Sequence, residues 1–493
     1  MEEFLFAFTF SFILLSLAMV VARSRRWCNC QICCTYLTSG WAGEHANLCD
    51  WFTHLIIQSP TRTVHIHVLD NIITANKKNV KHMLKTRFEN YPKGKPFSSI
   101  LGDLLGRGIF NVDGERWLFQ RKLASLELGS VSVRSYAFGI INHETKERLL
   151  PLLDSVSDND DFSSSKSIEL QDVFRRFSFD SICKISFGID PGCLKLSLPM
   201  SAFATAFDTA TTLSAARATS VSPMIWKMKR LLNLGSEREL RKALTLVNVL
   251  AEEVIQHRRL DTSSDKSQDL LTRFIDSVGD NKYLRDIVVS FLLAGRDTVA
   301  STLTSFFYLL SRHPEVEAEM LAEIDRVMED DDGSSNNGEV SWGKLREMQY
   351  VHAAIHESMR LYPAVQHDSK FAAEDDVLPD GTFVRKGTRV TFHPYAMGRL
   401  TEAWGNDCME FRPQRWLTNG VFTPEDPFKY TVFNASHRIC IGKELAVMET
   451  KTVIVSVVRK FTVDVITKDQ PLSFSPGLTA TLRDGLHANI TRR

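Results

Sequence analysis

The sequence has no excess of charge of either sign. Lys+Arg and Asp+Glu both total 59 among 493 residues, so the formal net charge is zero. Proteins that bind nucleic acid usually carry a basic excess on one face or arm, and this composition supplies none. We therefore predict no nucleic-acid partner.

Long uncharged runs are also nearly absent. Only residues 4–22 (FLFAFTFSFILLSLAMVVA) approach the roughly 20 apolar residues that a bilayer-spanning helix needs. Two glutamates precede this run, and Arg23, Arg25 and Arg26 follow it. The positive-inside rule then predicts one anchor over residues 1–26, with the body in the cytosol. A cleaved secretory signal would carry its charge at the other end and a small-residue cleavage site.

Disulfides are not expected, because a cytosolic body keeps its nine cysteines reduced. Cys28, Cys30, Cys33 and Cys34 cluster in residues 27–60, which we interpret as a juxtamembrane linker. Their spacing, Cys-x-Cys-x-x-Cys-Cys, is not the usual paired pattern of a zinc site. Zinc binding, acylation and the absence of any special role all remain open.

The chain lacks internal repeats and long interdomain linkers, so residues 61–493 are predicted to form one domain. Helical periodicity predicts helices over Leu170–Phe187, Glu237–Arg259, Leu284–Arg312, Pro314–Met328 and Leu345–Leu361. Strand-like runs are Phe383–Val384, Arg389–Phe392, Phe461–Ile466 and Leu478–Leu482. Polar loops are predicted at Asp154–Ser167, Asp261–Gln268 and Glu329–Glu339. The expected fold is mostly α, with small β-sheets.

The segment Phe433–Gly442 (FNASHRICIG) carries the strongest chemical signal. A cysteine that binds iron must be a thiolate, held in a loop whose N–H groups point at the sulfur. A helical pattern over Lys443–Val457 follows the loop, and a helix N-terminus favours negative charge nearby. Arg438 stands two residues before Cys440, where it can meet an acidic group of a cofactor.

This segment resembles the cysteine-loop motif of the cytochromes P450, Phe-x-x-Gly-x-Arg-x-Cys-x-Gly. The resemblance implies a haem-thiolate monooxygenase of one α-rich fold that holds haem b. Cys440 would be the axial iron ligand, and Phe433 and Arg438 would contact the cofactor.

Two residues of the loop depart from the family pattern. Ser436 stands where the family has glycine, the residue that best tolerates a left-handed backbone. His437 is also unusual at the proximal face. They motivate an alternative: a degenerate haem-binding or lipid-binding membrane protein with impaired catalysis.

A second motif, Glu357-x-x-Arg360, resembles the family's Glu-x-x-Arg helix. Spacing i,i+3 puts both charges on one helical face. Arg415, in the segment FRPQRW, matches the second arginine of the family's triad. The resemblance implies that the three residues are structural and shape the cysteine pocket.

Cofactor contacts are implied at three further positions. Trp117 and Arg121 resemble the family's propionate-binding Trp-x-x-x-Arg helix, in which i,i+4 spacing sets an N–H donor and a cation on one face. Lys370 aligns with another frequent propionate contact.

The segment Ala294-Gly-Arg-Asp297-Thr298 resembles the oxygen-binding groove of the family's central helix. The Thr298 hydroxyl can bond back to the Ala294 carbonyl and distort the helix locally. The resemblance implies that Thr298 serves bound O2 and that Asp297 feeds protons. A second alternative is a reductase-independent hydroperoxide isomerase, but relatives of that kind lack the Asp-Thr pair.

A finer resemblance is to the plant P450 family numbered 94, particularly its C subfamily. It is carried by Asn90–Asn111, Phe119–Val133, Arg285–Ala300, Asp376–Arg399 and Ser475–Leu482. It implies ω-hydroxylation of a fatty acid or of jasmonoyl-isoleucine, on to the acid in the C type, at the endoplasmic reticulum membrane. Electrons would come from NADPH through cytochrome P450 reductase.

The carboxylate of such a substrate needs a cation or amide donors far from the haem. Arg107 is the predicted cation, and Ala294, Ala364 and Val365 are predicted to touch the substrate.

Overall fold

The computed structural model describes residues 28–157, 167–195, 202–220, 222–260, 269–275, 277–329 and 340–493. The predicted anchor, residues 1–26, lies outside the described residues, as do loop 261–268 and most of the other two predicted loops. Within the described ranges, the helical stretch Asn281–Leu310 is long and apolar enough to cross a membrane, but 67% of its apolar window is buried inside the protein. This helical stretch is therefore part of the protein core.

Helices dominate the described residues, as the sequence predicted. They are α1 (Gln31–Leu37), α2 (Leu48–Gln58), α3 (Lys77–Lys81), α4 (Gly94–Leu105), α5 (Gly114–Gly129), α6 (Val131–Glu144), α7 (Leu150–Ser157), α8 (Leu170–Phe187), α9 (Ala202–Thr219), α10 (Pro223–Leu232), α11 (Gly235–Leu260), α12 (Leu270–Ile275), α13 (Asn281–Gly295), α14 (Asp297–Leu310), α15 (Pro314–Glu329), α16 (Trp342–Glu347), α17 (Gln349–Leu361), α18 (Pro394–Met397), α19 (Thr401–Trp404) and α20 (Lys443–Lys460).

The strands are short and form small sheets. They are β1 (Thr63–Ile66), β2 (Asn71–Thr74), β3 (Ile168–Glu169), β4 (Asp368–Phe371), β5 (Asp376–Val377), β6 (Phe383–Val384), β7 (Arg389–Phe392), β8 (Leu417–Thr418), β9 (Val421–Phe422), β10 (Phe461–Val465), β11 (Phe474–Ser475), β12 (Thr481–Leu482) and β13 (His487–Arg492). The mostly helical fold with small sheets is confirmed.

The largest sheet has the strand order β1-β2-β7-β4. β1 and β2 form an antiparallel hairpin, and β2 pairs in parallel with β7. β4 is antiparallel to β7, so that Lys370 lies opposite Val390. A second sheet, β10-β13-β3, joins the end of the chain to the start of α8.

The core is built around α14. Its side chains Leu303, Phe306 and Phe307 are fully buried and share one cluster with Phe174 of α8 and Val453 of α20. The Phe174 and Phe307 rings stack with their centroids 5.4 Å apart. This packing fixes α14 between α8 and α20, which holds the end of the cysteine loop.

Three predicted elements differ in detail. The single helix predicted over Leu284–Arg312 is interrupted at Arg296, and the one predicted over Leu345–Leu361 is interrupted at Met348. Only the last two residues of the predicted strand Leu478–Leu482 pair with a neighbour. The apolar pattern continues across both helical breaks, so periodicity alone did not reveal them.

Most of the described part of the predicted linker, residues 27–60, belongs to the folded body. Residues 31–58 contain α1 and α2, and Cys33 and Ile56 are completely buried. Trp51 and Phe52 pack with Ile72 of the largest sheet. An amphipathic helix buries its apolar face against a sheet, so this segment is not an extended connector.

Candidate active site

The cysteine loop has a tightly specified backbone. The Cys440 N–H donates to the Phe433 carbonyl over 2.8 Å, and α20 begins at Lys443, directly after the loop. The Cys440 side chain is accessible but sits deep in the protein, which raises the pKa of its thiol. The Gly442 N–H donates to the sulfur and lowers this pKa, as do the nearby positive charges of Arg121 and Lys443. The N–H group and the two positive charges stabilise the thiolate, the form of cysteine that binds a metal ion.

Ser436 adopts the backbone that the sequence argument anticipated. Its φ is 57°, in the left-handed region, where a residue with a Cβ is strained and glycine is not. Asn434, two residues earlier, has φ 60°, which asparagine tolerates better. Serine is thus accommodated in the loop at an energetic cost.

Replacing Ser436 with glycine should relieve this strain. We expect the free energy of unfolding to rise by about 1 kcal/mol, with more haem retained after denaturant exposure. Denaturation followed at the haem absorption band and by far-ultraviolet circular dichroism measures both. Ser436→Ala is the matched control, because alanine removes the hydroxyl but keeps the strain. Equal stability of the glycine and alanine variants would show that the left-handed backbone is not the cause.

Three of the predicted cofactor contacts converge beside Cys440. Arg121 of α5 donates to the Ile439 carbonyl over 2.9 Å. The Arg438 guanidinium lies 4.6 Å from the centre of the Trp117 ring, and that of Arg121 lies 5.8 Å from the same ring. Both guanidiniums lie within cation–π range of one indole, which helps to hold both charges near the loop.

Arg438 forms an ion pair with one acidic side chain, and one of its N–H groups has no partner among the described residues. It donates to the Asp113 carboxylate over 2.6 Å, while its Nε is buried and has no hydrogen-bond partner among the described residues. A buried donor without a partner costs about 1–3 kcal/mol, so this nitrogen is suited to an acidic group of a cofactor.

Lys370 reaches the same region from β4. It is buried and pairs with Asp368 over 2.9 Å, and burial lowers its pKa to about 7. Lys93 also binds Asp368, and Asn434 donates to it over 3.3 Å. Lys370 therefore shares its charge with a carboxylate, and a cofactor acid would join an existing polar cluster.

The three residues predicted as a structural triad are in direct contact. Arg360 donates to both oxygens of Glu357, over 2.7 and 2.8 Å, and Arg415 donates to Glu357 over 3.2 Å. Glu357 and Arg360 are completely buried. Arg360 also donates to the Cys408 carbonyl over 2.6 Å and to the carbonyl of Gly398, where a Cβ would lie 2.2 Å from the Arg360 carbonyl oxygen.

The predicted groove lies at the break between α13 and α14. Thr298 donates to the Ala294 carbonyl over 2.6 Å, the bond proposed from the sequence. Gly295 packs so closely on Ile182 that a Cβ would lie 2.4 Å from its side chain. The hydroxyl bonds to a carbonyl of the helical ladder at the position where the helix is interrupted.

Asp297, next to Thr298 in the chain, lines a cleft. One of its carboxylate oxygens is buried with no hydrogen-bond partner among the described residues and lies 3.6 Å from Arg296. Burial raises the pKa of Asp297, while Arg296 and Arg175 oppose that shift. The carboxyl borders a cavity of about 390 Å³, which Asp208 also lines. This position connects the acid to space beside the central helix.

The predicted substrate residues do not form one group. Arg107 donates to Asp280 over 2.5 Å, and its side chain is 46% exposed, so its charge is already paired at the surface. Ala364 is buried, Val365 is partly buried, and the Ala364 carbonyl accepts from the Ala480 N–H over 2.8 Å. The role of Arg107 as the substrate cation stays a prediction.

Two features were missed from the sequence. Asp208 of α9 binds both Arg175, over 2.6 Å, and Arg296, which adjoins Asp297. Arg389 of β7 is largely enclosed and donates to the Ser369 hydroxyl over 2.9 Å. Both depend on contacts between distant segments; only the position of Arg296 inside the groove motif could have drawn attention to the first.

Three features together define a haem-thiolate protein: the cysteine loop, the buried Glu-x-x-Arg cluster and the interrupted central helix. The cytochrome P450 family model matches residues 57–486. The chain belongs to the cytochrome P450 family. Its cofactor is a haem whose iron is bound by a cysteine thiolate, used with O2 and reductase-supplied electrons, as predicted.

Curated relatives confirm the finer resemblance to family 94 and its C subfamily. The chain is 55% identical to "Cytochrome P450 94C1" from Arabidopsis thaliana, over 99% of this chain and 98% of that protein. It is 45% identical to "Cytochrome P450 94B3" from the same plant, over 90% and 88%, and 40% identical to "Cytochrome P450 94A1" from Vicia sativa, over 90% and 86%.

A solved structure shows the same fold. The cytochrome P450DA heme domain aligns with a TM-score of 0.70 at 20% identity, covering 86% of this chain and 88% of that one. At this identity the likeness concerns the fold alone.

Proposed function

We propose that this monooxygenase hydroxylates the ω carbon of a carboxylate-bearing lipid, a fatty acid or jasmonoyl-isoleucine, with the dicarboxylic acid as a further product. One atom of O2 enters the terminal C–H bond and the other leaves as water, consuming two electrons and two protons. The electrons come from NADPH through cytochrome P450 reductase. The relatives numbered 94 support the lipid class, and the back-bonded Thr298 beside Asp297 is the observation that carries oxygen activation.

The residues of the cysteine loop would hold the cofactor. Cys440 would bind the iron, while Arg438, Arg121, Trp117 and Lys370 would contact the acidic groups of the haem. The haem supplies oxygen activation assisted by electron release from the thiolate. The unpartnered Arg438 Nε supports this assignment, because an acidic group there would satisfy a buried donor.

Proton delivery is assigned to the break in the central helix. Thr298 would present its oxygen to the oxygen-binding side and pass a proton there. Asp297 would exchange protons with the cavity that it borders, and its raised pKa keeps the proton available. This pair favours oxygen activation over the hydroperoxide isomerase alternative, which needs no proton relay of this kind.

Recognition of the substrate carboxylate is assigned to Arg389 instead of Arg107. Arg389 donates to the Ser369 hydroxyl and, over 3.4 Å, to the Ala218 carbonyl at the end of α9. None of its described hydrogen bonds goes to a carboxylate, and burial lowers its pKa. A guanidinium enclosed in this way gains most from an anionic partner.

Replacing Arg389 with alanine should weaken binding of a fatty-acid carboxylate about tenfold, since a hydrogen bond to a charged group contributes roughly 1.5–3 kcal/mol. The haem absorption shift on substrate titration measures the dissociation constant. The dissociation constant for the methyl ester of the same fatty acid should change little in Arg389→Ala. Arg107→Ala is the matched control and should bind normally; weakening by that variant alone would restore Arg107 as the recognition residue.

Membrane attachment belongs to the same proposal. The apolar run 4–22 would anchor the chain once in the endoplasmic reticulum membrane, with the catalytic body and the reductase on the cytosolic side.

The function is tested on the full chain in microsomes. A reduced, carbon-monoxide-bound Soret band at the thiolate position, with terminally hydroxylated product formed only with NADPH and reductase, is the expected result. A band at the neutral-ligand position, or no haem, would support the degenerate alternative. Turnover of a hydroperoxide without NADPH, and no hydroxylation, would support the isomerase.

A further inference from the structure

A second cluster of metal-binding side chains lies far along the chain from the cysteine loop. The sulfurs of Cys28, Cys30 and Cys33 and one ring nitrogen of His67 all lie within 4.8 Å of one another. The Cys28 sulfur and the His67 Nδ1 are 3.6 Å apart. Cys34 is exposed and is not part of this cluster.

The separation of 3.6 Å between the Cys28 sulfur and the His67 Nδ1 matches a tetrahedral zinc site. With Zn–S of about 2.3 Å and Zn–N of about 2.0–2.1 Å, tetrahedral angles place sulfur and nitrogen about 3.6 Å apart and two sulfurs about 3.8 Å apart. All four donor atoms lie within 4.8 Å of one another, so small side-chain rotations would bring them to these separations. Three cysteines and one histidine form a common set of ligands for structural zinc.

The surroundings of the sulfurs also fit a bound cation. The Cys33 N–H donates to the Cys30 sulfur. The Val68 N–H donates to the Cys33 sulfur. Backbone N–H groups aimed at sulfur are the outer contacts that orient and stabilise metal-bound thiolates.

Two other uses of these cysteines fit the geometry less well. Cys33 is completely buried, so a lipid chain cannot be attached to it without opening the fold. All three thiols are free, and a disulfide between two of them would leave the third sulfur and the histidine unused. The exposed Cys34 is the cysteine of this segment most accessible to acylation.

We propose that Cys28, Cys30, Cys33 and His67 bind one structural Zn²⁺. Cys30 and Cys33 are the paired Cys-x-x-Cys half of the site, and the distant half is His67, which directly follows β1. The four cysteines did not show the usual zinc spacing in the sequence, because Cys34 is not a ligand and the fourth ligand is the distant His67. The metal fastens the segment that follows the apolar run to the largest sheet, and so fixes how the catalytic body is held relative to that run.

The direct test is X-ray absorption at the zinc edge on the full-length, haem-loaded protein purified in detergent without chelators. The haem iron does not absorb at that edge. The expected result is about one zinc per chain with three sulfur neighbours at about 2.3 Å and one nitrogen at about 2.0 Å. Zinc surrounded by oxygen and nitrogen only, or no zinc in protein grown with zinc present, would overturn the proposal.

Variants separate this ligand set from other cysteines. Cys33→Ser and His67→Ala should each lose most of the zinc, whereas Cys34→Ser, the adjacent matched control, should keep it. Haem content and the carbon-monoxide spectrum show whether each variant is folded. If His67→Ala fails to fold, the spectrum of the unmodified protein alone decides. Retention of zinc by folded Cys33→Ser, or a disulfide or acyl group on these thiols in the unmodified protein, would refute the proposal.

Discussion

Alanine at position 360 should lower the free energy of unfolding by about 3–5 kcal/mol, because removal of one partner leaves a buried ion pair uncompensated. Arg360 is completely buried and binds both oxygens of Glu357 as well as the Cys408 and Glu410 carbonyls. Arg415 alone would then balance the Glu357 charge. Denaturant unfolding and the haem content after purification measure the loss.

Arg412→Ala is the matched control for this cluster. The Arg412 side chain is 54% exposed and pairs with Asp407 over 2.7 Å, while its backbone N–H, which alanine retains, donates to Glu357. Its replacement should cost less than about 1 kcal/mol. Lysine at position 360 should not restore stability, because it lacks the planar fork. If the Arg360 and Arg412 variants lost equal stability, the buried cluster would not be the cause.

Removing the Thr298 hydroxyl should lower product formation about 10²-fold, since positioned proton transfer contributes that much or more. In Thr298→Ala the Ala294 carbonyl loses its 2.6 Å partner and Asp297 loses its neighbour in the relay. NADPH should still be consumed, with hydrogen peroxide released in place of hydroxylated lipid. Parallel measurement of NADPH, peroxide and product gives the coupling.

Thr304→Ala controls for the loss of a helical hydroxyl. Thr304 is buried and bonds back to the Ala300 carbonyl over 2.7 Å, about 1.7 turns beyond Thr298 along α14. This variant should keep its coupling. Full coupling in Thr298→Ala would mean that another group delivers the proton.

Much of the fold could be predicted from apolar periodicity. Leu170–Phe187 matches α8 because its core-facing positions repeat along one helix. The helical breaks at Arg296 and Met348 could not be predicted from periodicity, because the apolar pattern continues across both of them. Periodicity also gave no reason to place residues 31–58 against the sheet.

The chemical motifs were predictable for a related reason. Glu357 with Arg360, and Trp117 with Arg121, are short-range pairs whose spacing alone sets one face. The pairing of Arg107 with Asp280 could not be predicted in this way, because the two residues are 173 positions apart in the sequence. The ligand role proposed for His67 and the role proposed for Arg389 likewise arise only when distant strands and helices meet.

The parallel pairing of β2 with β7 has a consequence for synthesis. The Thr391 hydroxyl donates to Asn71 across 320 residues, and Arg121 reaches Ile439 across 318. At translation rates of about 5–20 residues per second, the β1–β2 hairpin waits about 15–60 s for its partner strand. Its edge is open during that time, so a nascent chain depends on protection from aggregation. Messages that end before codon 392 would yield a hairpin without its neighbour and no cysteine loop.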